Sequence, residues 1–273
     1  MARETSLLLR METFYSCALV TGASSGLGEE FATQLAGRVG KLILIARRED
    51  RLEEIAARLR QSHPRTAVVV IAADLSDEKQ RQAVADKICD WGFVPDLLVN
   101  NAGLGDYGEF VTAEWKTLEA MLEVNIVALT HLSHLFAPGM ARKGTGHILN
   151  VSSLAATIPI PDFAVYAATK AYVSSFSEAL RIELKESGVR VMSLCPGPVK
   201  TEFGQVAQRE GTKIPAQEFF YVEKEQVVSE ALMGLDRDSA RVFPGLKVAA
   251  AGLLLGALPL VIIRLMMGSR PRR

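Results

Sequence analysis

The chain has 273 residues, 49% of them apolar, enough to bury the core of one large α/β domain or of two small ones. Its 31 Lys and Arg balance 31 Asp and Glu, which excludes a net field drawing the chain to nucleic acid. Cys17, Cys89 and Cys195 lack C-x-x-C spacing and leave one thiol over in any pairing, which points to a reducing cytoplasmic compartment, and no acid or thiol stands at ligand spacing beside the histidines, so no metal is expected.

In chain order, residues 1–12 read as a loose extension without a secretory signal, since Leu7 to Leu9 is too short an apolar run for one. Short β-branched runs then alternate with helical patterns. Strands are expected over 16–22, 41–47, 66–74, 96–103, 146–153 and 189–197, with a short seventh over 241–243. Helices are expected over 26–38, 50–61, 77–91, about 112–140 and 165–187. The strands are continuous apolar runs, as in a parallel sheet covered on both faces. Asp50 and the pair Asp77-Glu78 put acids at helix starts, where the macrodipole favours them. Six βα repeats without a linker predict an α/β fold, a Rossmann-type doubly wound parallel sheet flanked by helices, as one domain over 13–245.

Two motifs suggest chemistry. The segment TGASSGLG (21–28) ends the first strand and opens the first helix. Its glycines, Gly22, Gly26 and Gly28, allow backbone to approach a pyrophosphate, whose charge the helix N-terminus would meet. Glycines also make ordinary βα turns, so the spacing alone is only moderately specific. In VYAATKAY (165–172), Tyr166 and Lys170 are one helical turn apart and leave the same face. Taken alone, such a pair is more often a packed ring beside a solvated amine.

With NNAG (100–103) and PGPVKT (196–201), these motifs make an ordered set of four. On that set, residues 13 to about 245 resemble the short-chain dehydrogenase/reductase superfamily. The stretch IARREDRLEEIA and the apolar tail are further similar to its broad DltE-like subgroup of general oxidoreductases. The resemblance implies an enzyme that interconverts a small-molecule carbonyl and an alcohol by hydride transfer, working as a homodimer or homotetramer. It implies a catalytic set of Asn125, Ser153, Tyr166 and Lys170. A hydride reaching a carbonyl leaves an alkoxide that needs a proton. A free tyrosine, with a pKa near ~10, exchanges that proton poorly, and a fixed ammonium lowers the value. Tyr166 is therefore expected as general acid in reduction and base in oxidation, and Lys170 also as a holder of the nicotinamide ribose. Ser153, thirteen residues before Tyr166, is the expected donor to the developing oxyanion. Its neighbour Ser152 points to the other side of the strand end and reads as structural. An amide within an amphipathic helix normally faces solvent; the resemblance instead assigns Asn125 to a helix distortion and a water-linked proton relay to the lysine.

For the cofactor, the resemblance implies contacts from Gly22, Ser24, Ser25, Gly26, Leu27 and Gly28 in the first loop. Asp74 and Leu75 would meet the adenine. Asn101, Ala102 and Gly103 follow the fourth strand, Tyr166 and Lys170 serve both tasks, and Pro196, Gly197, Val199 and Thr201 follow the sixth. Relatives that bind NAD carry an acid at the end of the second strand, where this chain has Ala46 followed by Arg47 and Arg48. Arginines there suit a 2′-phosphate, so NADP(H) is favoured over NAD(H). Against this, Glu49 is an alternative ribose ligand, and Ser25 stands where many NADP-dependent relatives carry a basic residue.

Residues 202–222 stand where the family places a mobile substrate loop. Phe203, Phe219, Phe220 and Tyr221 either line an apolar pocket for a hydrophobic ketone, acyl or sterol-like ligand, or pack under the helix that follows Glu223. From Val248 to Ile263 no side chain is polar, but the stretch is short of the ~20 residues of a spanning helix and contains Pro259. The tail, 246–273, is expected to pack as broken helices against protein, near the substrate loop or a subunit interface. Peripheral membrane contact through its basic end is the alternative. Two rival readings of the whole chain remain, a membrane-associated lipid- or sterol-type enzyme and a non-catalytic dinucleotide-binding regulator. The regulator would not need Ser153, Tyr166 and Lys170 together.

Overall fold

The computed structural model describes residues 12–212 and 218–268, so nearly all of the N-terminal extension and the last five residues lie outside the described residues. Its strands are β1 (Tyr15–Thr21), β2 (Val39–Ala46), β3 (Ala67–Ala72), β4 (Leu97–Asn100), β5 (Gly146–Val151), β6 (Val189–Leu194) and β7 (Arg241–Val242). They form one sheet in the order β3-β2-β1-β4-β5-β6-β7, parallel throughout. Every residue of β1 except Ser16 is buried. Ala18 and Val20 face one helical layer, Cys17 and Leu19 the other. Burial on both faces is the reason the strands read as unbroken apolar runs rather than alternating ones.

One layer contains α1 (Gly26–Leu35), α2 (Glu49–Ser62) and α8 (Lys224–Asp236), which supply Phe31, Leu52 and Leu232 to the core. The other contains α3 (Glu78–Asp90), α5 (Leu129–Lys143) and α6 (Ala164–Leu184), with Ile88, Leu132 and Phe136 against the sheet. Each such fully buried side chain contributes about 1.5–3 kcal/mol. Helix α3 starts as its acids lead one to expect. The Asp77 carboxylate accepts from the Lys79 and Gln80 N–H groups, and hydrogen bonds, first that from the Gln80 side chain, hold it below the usual carboxylate range.

Several boundaries differ from the sequence pattern, among them the sixth strand, expected over 189–197, which ends at Leu194. The fourth and fifth strands stop at Asn100 and Val151, because beyond them the chain turns across the carboxyl edge of the sheet. The single long helix expected over 112–140 is two helices, α4 (Trp115–Leu122) and α5, joined by a π-helical turn, Glu123–Ala128. A short helix α7 (Glu202–Val206) opens the segment after β6.

The tail forms α9 (Leu246–Ala257) and α10 (Leu260–Gly268), broken at Leu258 and Pro259. One side of α9 packs on the domain. Val248 is wholly buried within the α1–α2–α8 layer, and the missing side chain of Gly252 lets the helix rest against the Phe243 ring. All three cysteines are free, Cys17 and Cys195 buried and Cys89 exposed.

Candidate active site

From the carboxyl ends of β1 and β4 the chain leaves in opposite directions, which opens a crevice between them. A cavity of about 670 Å³ occupies it. At one end lies the start of α1. Its N-cap, Ser25, makes no side-chain cap bond, so the first N–H groups of the helix remain available to an anion. Gly28 sits directly behind Gly22: a Cβ on Gly28 would run into the Gly22 carbonyl oxygen and lie 2.6 Å from Asn101 Nδ2. Asn101 in turn donates from Nδ2 to the Thr21 carbonyl at 2.8 Å. The N–H groups of Asn101 and Ala102 both donate to Thr21 Oγ1, at 2.9 and 3.0 Å. Thr21 thus ties the NNAG turn to the glycine loop.

Beside that loop, Arg47 and Arg48 are exposed past the end of β2. The Arg48 guanidinium reaches Ser24 Oγ at 3.3 Å and Glu202 Oε2 at 3.3 Å. The Arg48 and Glu202 side chains are 46% and 50% exposed, so their pairing is weak and a stronger anion would displace it. Glu49 opens α2 and does not line the cavity. The Asp74 carboxylate accepts from the Ser76 N–H and hydroxyl at 2.9 and 2.8 Å, which shapes the turn that carries Leu75 into the cavity wall.

At the other end, Ser153, Tyr166 and Lys170 line the same space. Ser153 caps a short 3-10 turn and accepts from the Ala155 N–H at 3.1 Å. Ser152 faces away, donating to the Lys170 carbonyl at 2.8 Å and bonding Ser174 Oγ at 2.8 Å. Lys170 Nζ donates to the Val151 carbonyl at 2.9 Å and lies 5.7 Å from the centre of the Tyr166 ring. Burial pushes the Tyr166 phenol up to about 12, opposed by its hydrogen bond with Ser153. Burial likewise pushes the Lys170 ammonium down to about 8, opposed by the nearby Cys195. Burial dominates at Tyr166, and the influence opposing it comes from Ser153 rather than from Lys170.

The cavity is lined by every residue expected at the cofactor and chemical sites except Gly28 and Asn125. Gly28 acts from behind Gly22. Asn125 is buried in the π turn, where Oδ1 accepts from the Leu104 N–H at 2.8 Å and Nδ2 donates to the Leu104 carbonyl at 2.9 Å and to Thr169 Oγ1 at 3.0 Å.

A family model described as short chain dehydrogenase matches residues 16–211. The chain belongs to the short-chain dehydrogenase family. It is 38% identical over 190 residues to sulfoacetaldehyde reductase 2 of Chromohalobacter salexigens, a match that covers 68% of this chain and 73% of that protein. A short-chain dehydrogenase of Sphingobium yanoikuyae, solved in complex with NADPH, superposes with a TM-score of 0.78 at 32% identity, covering 94% of this chain and 97% of that one. The bulky-bulky ketone specific alcohol dehydrogenase of Comamonas testosteroni gives 0.75 at 29% identity, covering 94% and 95%.

Among the aromatic residues named from the substrate loop, Phe203 and Tyr221 line the cavity of this short-chain dehydrogenase. Phe220 packs against the core, and Phe219 is exposed beneath Lys247, whose Nζ lies 3.9 Å from its ring centre. Residues 213–217 of that loop lie outside the described residues. Sequence reasoning missed Thr21, Tyr107 and Phe163. Phe163 had a readable signal, since it precedes Tyr166 by three residues and so meets it one turn away. Tyr107 had none, because only the fold brings its loop to the site.

Proposed function

We propose that this short-chain dehydrogenase is an NADP(H)-dependent oxidoreductase interconverting a hydrophobic ketone and its alcohol. Residues 13–245 are read as the catalytic domain and 246–273 as its tail, from which Leu255 lines the cavity. The observation that carries the reading is one cavity lined at one end by an uncapped, glycine-opened helix start and at the other by Ser153, Tyr166 and Lys170.

The residues fit a dinucleotide. The close approach of Gly22 and Gly28 and the free N–H groups of α1 suit its pyrophosphate, and Arg47 and Arg48 suit a 2′-phosphate. The Sphingobium yanoikuyae relative, solved with NADPH, supports the same preference. When bound, the nicotinamide exchanges a hydride with the substrate carbon. Tyr166 Oη gives the proton to the carbonyl oxygen in reduction and removes it in oxidation. Ser153 Oγ donates to that oxygen as charge develops on it. With Tyr166 at about 12 and Lys170 at about 8, the neutral-pH site holds a protonated phenol beside an ammonium, the state that reduction requires. Lys170 also offers its remaining N–H groups to the ribose hydroxyls. Asn125 is read as the relay residue, a reading supported by its Oδ1 and Lys170 Nζ both lying 3.4 Å from where a Cβ on Gly103 would be.

At the substrate end the wall is made by Tyr107, Ile158, Ile160, Phe163, Phe203, Val206 and Leu255. Among the described residues Lys170 is the one cation lining that end, which favours an uncharged ketone over the sulfonated aldehyde named for the Chromohalobacter salexigens relative. The bulky-ketone specificity named for the Comamonas testosteroni enzyme agrees with this choice. The test is a panel of aliphatic, aromatic, lipid and sulfonated carbonyls assayed by NADPH and NADH absorbance. Turnover of bulky neutral ketones with NADPH is expected. Tight NADPH binding with no turnover of any carbonyl would favour the regulator reading instead.

A further inference from the structure

Helix α9 has a buried side and an outward side, and the outward side is not polar. Val248, Gly252 and Leu255 recur at helical spacing toward the protein, while Leu246, Ala250, Leu253, Leu254 and Ala257 face out. Leu246, Leu253 and Leu254 are 92%, 71% and 65% exposed. Helix α10 continues the surface with exposed Val261, Ile262 and Leu265 while Ile263 is buried. A surface helix of a water-facing protein places charges outward; an apolar outward face marks something that covers it.

The charge of the segment says what does. From Leu246 to Arg273 the chain carries Lys247, Arg264, Arg270, Arg272 and Arg273 and no acid, although the whole chain is neutral. Lys247 and Arg264 are exposed beside the apolar face; residues 269–273 lie outside the described residues. A two-fold contact with a second copy would press two cationic tails together. Neither helix spans a bilayer: at 12 and 9 residues they reach about 18 and 14 Å, against ~30 Å of hydrocarbon. The one described helical run long and apolar enough to span, Trp115–Lys143, is half buried in the domain.

We propose that the outward face of α9 and α10 docks in the plane of an anionic lipid surface, its leucines in the interface and its cations at the headgroups. The docked helix is also a wall of the active site, because Leu255 lines the main cavity. A carbonyl dissolved in lipid then has its point of entry beside the membrane; this last step rests on the hydrophobic-ketone reading, whereas the docking does not.

The experiment is flotation of the full chain with vesicles of phosphatidylcholine, with and without phosphatidylglycerol, alongside Leu253→Glu with Leu254→Glu. Both leucines are exposed, so the double variant keeps its fold, checked by NADPH titration and thermal melting. The full chain is expected to float with the anionic vesicles and to be released as salt is raised, and the variant to float about tenfold less. A full chain that stays in solution with anionic vesicles overturns the proposal. So does a variant that floats equally well, or an oligomer on size exclusion that the variant dissociates with no vesicle binding by either form. Flotation without turnover would uphold the docking and sink the enzymatic reading, so the two fail separately.

Discussion

The Tyr166 ring stacks on the Phe163 ring at the head of α6, with centroids 4.2 Å apart and planes at 18°. Stacking holds the ring whatever its substituent and contributes about 0.5–1.5 kcal/mol. Tyr166→Phe therefore keeps the wall and removes only the proton donor. Turnover is expected to fall by about 10²–10⁴ while NADPH affinity stays near that of the parent. Steady-state kinetics with a fluorescence titration of NADPH measures both, and near-parental turnover would remove Tyr166 from the chemistry.

Lys170 should destabilise the ligand-free fold. Its value of about 8 lies below the ordinary 10.5, so below pH 8 both folded and unfolded chains carry the charge and the burial penalty is fully present. Between pH 8 and 10.5 only the unfolded chain keeps the proton, so stability rises with pH across that window, by roughly 3 kcal/mol in all. Lys170→Met loses the bond to the Val151 carbonyl, about 1 kcal/mol, but also loses the penalty. It is expected to be more stable at pH 7 by roughly 1–2 kcal/mol and inactive, with the difference reversing toward pH 10. Denaturant melts at several pH values check the sign. A variant less stable at pH 7 would contradict it.

Replacing Arg47 and Arg48 with alanine together should narrow a preference for NADPH over NADH. A charge-assisted contact contributes about 1.5–3 kcal/mol, or roughly ten- to a hundredfold in affinity. Titration of parent and variant with both cofactors measures it. Equal binding of the two by the parent would leave the arginines as surface charge.

Gly28→Ala places a methyl against the Gly22 carbonyl and within 2.6 Å of Asn101 Nδ2, which donates to the Thr21 carbonyl at 2.8 Å and to the Gly22 carbonyl at 3.4 Å. The loop must open to take it. A destabilisation of about 1–3 kcal/mol is expected, with loss of NADPH binding even where the variant remains folded. Unchanged affinity would mean that the helix start does not hold the pyrophosphate.

The sheet was legible because burial on both faces leaves its mark within a strand, as in LILIA of β2. Tyr166 and Lys170 were legible because helical spacing is local. The direction of their titration was not. It depends on how completely the surrounding walls exclude water, and those walls come from Phe163, Phe203 and Val151, elements far apart in the chain. Phe219 and Phe220 show the same limit: adjacent and alike in sequence, one is exposed and the other packs on the core. The tail was half legible. Pro259 announced the break, but only the structure divides α9 into a side carrying Val248 and a side carrying Leu253.

The π turn at Glu123–Ala128 makes a crankshaft of the run from Trp115 to Lys143. One extra residue in a helical turn rotates everything beyond it by about 100°. In a plain α-helix Met121 and Leu132, eleven residues apart, would complete about three turns and share a face. Here Met121 and Leu118 join Tyr107, Phe163 and Tyr166, whereas Leu132 and Phe136 join the layer against the sheet. The two throws are out of phase, so a single rod braces the scaffold with one arm and the reacting ring with the other. Removing any one residue from the turn would bring the arms into line, and one of the two would be left pushing on nothing.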